Sequence, residues 1–164
     1  MKVWTDVWSG DEMVSDSYPH KLIFNDACLE VKAKFTTKGS DFVAIASDDV
    51  NEDDGEGETV INVVDAHRLV EFEVSKADAM QMIKALMKRT MGYLKENGKE
   101  DRVAGFKQGA TEFVKFVMGK YDEMQIFMGE SSDDTASLAF AYTKDGETDP
   151  TFLFFVDCTK EKKF

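Results

Sequence analysis

The chain is expected to fold as an α+β domain, with strands first, then two long helices, then strands again. Three observations carry this expectation. Residues 29–35 and 70–74 alternate apolar with charged or polar side chains, the period-two pattern of strands with one buried face. Residues 75–119 change to apolar positions three and four apart, which lines one face of a helix. Residues 151–156 are apolar at almost every position, as in a central strand covered on both sides.

The elements follow in order. Residues 2–8 are β-prone but alternate imperfectly. In 29–35, Leu29, Val31, Ala33 and Phe35 face one way and Glu30, Lys32 and Lys34 the other. Residues 36–59 carry the weakest pattern. Positions 48–58 hold seven acidic residues and no base. Such a stretch buries too little apolar surface to offset its ordering entropy, so 36–59 is read as a long mobile acidic loop. Residues 60–64 read as a strand, as do 70–74.

Ser75-Lys76-Ala77-Asp78 has the spacing of a capping box, a hydroxyl acceptor followed three residues later by an acid. The helix after it buries Ala79, Ile83, Leu86, Met87, Thr90, Met91 and Leu94. Asn97-Gly98 ends it, the glycine being suited to a left-handed cap. A second helix begins near Asp101, with Val103, Phe106, Ala110, Phe113, Val114 and Val117 on its face, and stops at Gly119. The short connection makes 75–119 an antiparallel helical hairpin. Met82, Met87 and Met91 form a stripe that is read as core rather than as an adaptable binding surface. Beyond the hairpin, Gln125-Ile126-Phe127-Met128 runs into Gly129-Glu130, and 136–142 is strand-like. A glycine after large apolar residues marks a tight corner or a close backbone approach, with Glu130 delivered at a sheet rim.

At 164 residues and 43% hydrophobic content the chain is expected to form one domain, 1–164. No apolar run approaches 18 residues, and Asp6 and Asp11 fall where a signal peptide would carry its apolar core. A cytoplasmic protein with no membrane segment is therefore expected. The net charge is −12 but unevenly placed. Residues 75–120 hold ten basic residues against five acidic ones, a positive segment in an acidic chain. That split suggests two surfaces with different partners and disfavours direct nucleic-acid binding.

The chain carries few signals of catalysis. Two cysteines are too few for a disulfide framework. Cys28 sits in a strand pattern and is read as buried, whereas the sequence leaves open whether Cys158, near the C-terminus, is exposed to oxidation. His20 and His67 have no neighbouring nucleophile and are read as structural or surface residues. Gly55-Glu56-Gly57 is acidic and would repel phosphate. Asp49, Asn51 and Asp53 match the first three ligand positions of an EF-hand, but Asp54 replaces the required glycine and Val60 the closing glutamate. The remaining expectation is weak attraction of calcium to scattered carboxylates, with no obligatory cofactor.

Met1-Lys2-Val3-Trp4 leading into Asp11-Glu12-Met13-Val14-Ser15-Asp16 resembles the translationally controlled tumour protein family, also called fortilin or histamine-releasing factor. The resemblance extends through Cys28-Leu29-Glu30-Val31, Gly55-Glu56-Gly57, Asp101-Arg102-Val103 and Phe154-Phe155-Val156-Asp157. It implies a tent of mainly antiparallel strands similar to the small zinc-dependent Rab chaperones, without the zinc, and with the helical hairpin to one side. It also implies a non-enzymatic, monomeric regulator in growth and survival control. The implied partners are tubulin or microtubules, Ras-like GTPases and elongation factors, with weak calcium binding.

By this resemblance, Glu12 and Glu130 match acids of the GTPase-facing surface and Lys115 a basic residue beside them. The same acids could equally be cap and turn residues that hold the tent together. Lys84, Lys88, Arg89 and Lys95 of the hairpin are expected to face an acidic partner such as tubulin. Glu123 and Gln125 match candidate calcium positions. The alternative reading is an acidic, calcium-responsive buffer with no GTPase partner. The chain also departs from the family. Residues 42–49 lose the glycine and asparagine of a family signature, Ala141 stands where many relatives have aspartate, and Pro19 interrupts 15–26, the stretch likened to a survival-protein-binding helix.

Overall fold

The computed structural model describes residues 1–38 and 58–164. Strands β1 (Lys2–Asp6), β2 (Glu12–Ser15), β3 (His20–Ile23), β4 (Cys28–Lys32) and β5 (Phe35–Thr37) precede β6 (Thr59–Ile61) and a short helix α1 (Asn62–His67). Then come β7 (Val70–Phe72), the long helices α2 (Lys76–Glu96) and α3 (Glu100–Gly119), and strands β8 (Gln125–Met128), β9 (Leu138–Tyr142), β10 (Thr151–Phe155) and β11 (Thr159–Lys163). The α+β class and the helical hairpin are as expected. The strands form a six-stranded sheet in the order β3-β4-β10-β9-β8-β7, a three-stranded sheet β11-β1-β2 and the pair β5-β6. Every strand pair among the described residues is antiparallel.

Side-chain alternation places two cores on opposite faces of the large sheet. Leu153 and Phe155 of β10, with Phe140 of β9, meet Ile83, Leu86, Phe106 and Phe113 of the hairpin. Phe152 and Phe154, with Ala139 and Ala141, meet Trp4, Met13 and Val14 of the small sheet and Val63 of α1. Covered on both sides, β10 is buried throughout and apolar from Phe152 to Phe155, as a central strand must be. The hairpin carries the expected stops. Ser75 Oγ accepts from the Asp78 amide at 3.1 Å. Gly98 is left-handed at φ 73°, and the Lys99 amide reaches the Leu94 carbonyl at 2.8 Å, which completes a Schellman cap. Met82, Met87 and Met91 are half-buried against the helix-side core.

Several expectations are corrected. The strand expected over 29–35 ends at Lys32, and Phe35 lies 51% exposed in a separate pair. The strand expected over 60–64 stops at Ile61 because the Asn62 side chain accepts from the Lys34 and Val63 amides, which turns the chain into α1. The ends of the acidic loop, at 36–37 and 59, are strand residues of β5 and β6. Its interior and the altered signature at 42–49 lie outside the described residues. Strands β2, β3 and β11 were missed. β11 reads Thr-Lys-Glu-Lys-Lys, a charged edge strand that resists pairing with another chain and shows no apolar period.

Cys158, whose exposure the sequence leaves open, is fully buried, its thiol pushed up to about 12 by burial. Burial also raises Cys28. A thiolate chemistry at either position is disfavoured.

Candidate functional site

The β1–β2 turn is built around one buried carboxylate. Asp6 Oδ2 accepts from the Trp8 and Ser9 amides and from Ser9 Oγ, and Asp6 Oδ1 accepts from the Ser137 amide and Ser137 Oγ. The turn closes when the Asp6 amide donates to the Asp11 carbonyl at 2.8 Å. Asp11 in turn holds the segment after β8, accepting from the Ser131 amide at 3.2 Å and from Ser131 Oγ at 2.6 Å. Gly129 makes this possible. A Cβ there would lie 2.8 Å from Asp11 Cβ and 3.0 Å from Asp11 Cγ, so the close approach read from the sequence is real.

These ties bring Glu12 and Glu130, remote in sequence, to the rim of one hollow of about 390 Å³ lined by Gly10, Asp11, Glu12, Ala66, His67, Arg68 and Glu130. Helix α1 contributes Ala66 and His67 to the lining. Its last residue, His67, has a side chain only 7% exposed, and the left-handed Arg68 (φ 55°) turns outward. Arg68 Nη1 meets Glu130 Oε2 at 3.1 Å, with both side chains more than half exposed. Such a pair contributes little, about 0–1 kcal/mol, and opens readily.

His67 is unusual. Its Nε2 lies 3.5 Å from the Tyr18 hydroxyl, while Nδ1 is buried and has no hydrogen-bond partner among the described residues. The closest carboxylate oxygen, Glu12 Oε1, stands at 3.7 Å, beyond hydrogen-bond length. Burial lowers the pKa of His67 below 6.5, and the opposing pull of Glu12 is the smaller effect. The stability consequence has a definite sign. Above pH 6.5 the ring is neutral in both states. Between the folded pKa and 6.5 the unfolded chain binds a proton that the folded chain does not, so stability falls as the pH drops through this window. Urea midpoints measured from pH 7.5 to 5 should decline, and His67→Gln should flatten the decline. An unchanged slope in the variant would assign it to other groups.

The remaining expected site residues are dispersed. Lys115 is exposed near the C-terminal end of α3 and does not line the hollow. Lys84, Lys88 and Lys95 are exposed on α2. Arg89 is taken up by the fold instead. Its guanidinium lies 4.1 Å from the Trp8 ring centre and donates to the Thr135 carbonyl at 2.7 Å. Glu123 is exposed in the short turn of 3₁₀ helix Tyr121–Glu123. Gln125 Nε2 donates to Glu71 Oε2 at 3.1 Å and sits across from Ala141 in the β8–β9 register. Among the described residues no three His, Cys, Asp or Glu side chains gather as a metal set. The stretch 15–26 forms strand and turn, with Phe24, Asn25 and Asp26 all left-handed, and not a binding helix. Sequence reading missed Arg68 and set His67 aside, since neither lies in a motif and only the fold carries them to Glu12 and Glu130.

A twice-covered antiparallel sheet, with a helical hairpin inserted between β7 and β8 and a charged hollow beside β2, α1 and the segment after β8, defines an α+β sheet-and-hairpin domain. The family model described as translationally controlled tumour protein matches residues 1–160. A homologue from Dictyostelium discoideum is 40% identical with both chains fully covered, and one from Plasmodium berghei is 35% identical with the same coverage. The solved structure of the translationally controlled tumour-associated protein p23fyp from Schizosaccharomyces pombe superposes with a TM-score of 0.82 at 32% identity over the whole of both chains. The chain belongs to the translationally controlled tumour protein family. No helix among its described residues is long and apolar enough to cross a membrane.

Proposed function

We propose that the protein is a non-enzymatic interaction protein that docks a Ras-like GTPase or elongation factor at the Glu12–Glu130 hollow and an acidic partner such as tubulin along α2. One observation carries the first half. Two acids far apart in sequence converge on a single open hollow, and both carboxylates are more than half exposed. An exposed carboxylate pair can compete for a GTPase's phosphate-binding lysine or disturb its Mg²⁺, which loosens bound nucleotide. The second half is supported by Lys84, Lys88 and Lys95, exposed on a helix of positive net charge.

The two surfaces should separate by mutation. Glu12→Lys with Glu130→Lys should lose binding to a GDP-loaded Ras-like GTPase by more than tenfold and keep microtubule cosedimentation. Lys84→Glu, Lys88→Glu and Lys95→Glu together should do the reverse, with a steep salt dependence. Loss of both activities in either variant, or of neither, would refute the assignment.

Weak calcium binding in a buffering role is the second reading. It is favoured by a hollow of about 340 Å³ whose lining includes Gln125, Glu71, Glu73 and Asp122 and no basic side chain. Amide shifts at these residues during a calcium titration would support it, and shifts elsewhere alone would not.

A further inference from the structure

We infer that strand β11 is an open edge that takes up an extended acidic segment of a partner protein as a fourth strand of the small sheet.

Register decides which backbone groups are free. β1 and β11 run antiparallel. Met1 and Phe164 bond to each other in both directions, at 3.1 and 2.8 Å, and the Val7 amide donates to the Cys158 carbonyl at 3.1 Å. Hydrogen-bonded pairs recur at every second residue of such a ladder. Lys160 and Lys162 therefore turn their amides and carbonyls toward β1, and Glu161 and Lys163 turn theirs outward. β11 ends the sheet order β11-β1-β2, so no strand among the described residues receives these groups. Every residue from Lys160 to Lys163 is exposed, which leaves the edge open to a guest strand.

The side chains choose the guest. Lys160 and Lys162 share one face of β11, and Glu161 and Lys163 the other. Glu161 is paired with Lys2 of β1 at 3.5 Å. Lys160, Lys162 and Lys163 have no ion pair among the described residues. Three unpaired lysines on one short edge stand against a net charge of −12 for the whole chain. They repel a like strand, which keeps β11 from pairing with copies of itself. An acidic strand meets the opposite condition, because opposite charges directly across a strand pair stabilise it. The edges of the large sheet lack this combination. On β3, Lys21 is already paired with Glu30 at 3.7 Å, and on β7, Glu71 accepts from Gln125.

The same placement dictates a pattern for the guest. The antiparallel ladder is the more stable one. In that direction acids stand opposite Lys163, Lys162 and Lys160, and a neutral β-former stands opposite Glu161. Read along the guest, this is Glu-Glu-Thr-Glu. The backbone ladder supplies adhesion and the lysines supply selectivity, as in other cases of strand addition.

The test is a titration of the full chain at low ionic strength with acetyl-Thr-Glu-Glu-Thr-Glu-Thr-amide, followed by amide NMR and hydrogen exchange. The Glu161 and Lys163 amides should exchange several-fold more slowly with the peptide bound. Those of Lys160 and Lys162, already turned to β1, should change little. The same peptide N-methylated at the residues opposite Glu161 and Lys163 keeps its charge and loses the donors that face β11. Its affinity should fall by about tenfold or more. Lys160→Gln, Lys162→Gln and Lys163→Gln together should weaken the unmodified peptide by about tenfold, the product of three modest cross-strand pairs. These side chains are exposed, so the variant should keep its thermal midpoint within a few degrees. Absence of saturable binding overturns the inference. So does affinity that survives N-methylation, or a complex in which Glu161 and Lys163 gain no protection, since the lysines would then attract acids without a shared ladder. Full affinity in the glutamine variant overturns the choice of an acidic guest.

Discussion

Asp6→Ala should cost about 3–5 kcal/mol of folding stability, the largest loss expected from any single polar substitution in the described residues. Asp6 is 2% exposed and accepts five hydrogen bonds, two of them from Ser137 just before β9. The bonds to Trp8 and Ser9 shape the turn that places Asp11 and Glu12. Those to Ser137 fasten the small sheet to the large one. Removing the carboxylate leaves the Ser137 donors buried with nothing to bond, and each such orphan costs about 1–3 kcal/mol. The turn donors are partly solvated and recover water. Asp6→Asn keeps the shape and one acceptor oxygen, so its loss should be about half as large. Urea denaturation at pH 7 measures both, and a loss under about 1 kcal/mol for Asp6→Ala would show that the sheets are held together some other way. The same variant should weaken partner binding at the hollow, because Glu12 follows the turn.

Gly109→Ala should destabilise by about 2–3 kcal/mol although alanine is the better helix former. The added Cβ would strike the Phe24 carbonyl oxygen and lie 2.9 Å from Ala27 Cβ. These neighbours cannot move cheaply. Phe24, Asn25 and Asp26 turn the chain through three consecutive left-handed conformations, an arrangement costly for residues with side chains. It is held by contacts to α3. Phe24 stacks on Phe113 at 5.8 Å, Asn25 Nδ2 donates to the Gly105 carbonyl at 2.9 Å, and Arg102 reaches both the Asn25 carbonyl and Asp157. Pushing the turn outward would break these together. The intrinsic gain of alanine over glycine in a helix, about 1 kcal/mol, is smaller than the overpacking cost. Gly92→Ala on α2 is the control of opposite sign. Nothing stands within 4 Å of its Cβ position, so it should stabilise by up to about 1 kcal/mol. Thermal unfolding of the two variants side by side checks both signs, and stabilisation by Gly109→Ala would mean that the turn yields freely.

Both predictions concern residues whose importance is invisible in one dimension. Asp6 was noticed only as an acid out of place in a signal peptide, and Gly109 not at all. Gly129 was legible, because a glycine directly after Ile126, Phe127 and Met128 interrupts a strand for a reason that is usually steric, and here the reason is Asp11. Glu12, Glu130 and Lys115 entered by family resemblance. The fold gathers the two acids at one hollow and leaves Lys115 outside its lining. Arg89 was grouped with the basic face of α2 on charge alone, but charge does not reveal that Trp8 stands 4.1 Å away to engage it.

The linear chain settled what depends on neighbours a few residues apart. Periods of two and of three to four marked β4, β7, α2 and α3, because a side chain's face follows from its spacing, and a nearly unbroken apolar run marked β10. Ser75 and Gly98 marked helix ends, because caps are satisfied within one turn. The family, too, was legible in the order of its short motifs. The folded molecule settled what depends on distant partners. It ended the 60–64 strand at Asn62 through the Lys34 amide, buried Cys158 against Ser137, and turned the charged tail into β11 against β1. It also set His67 beneath Glu12, with one ring nitrogen buried and unpartnered. Such contacts join residues far apart along the chain, and no local period or propensity encodes which pairs will meet.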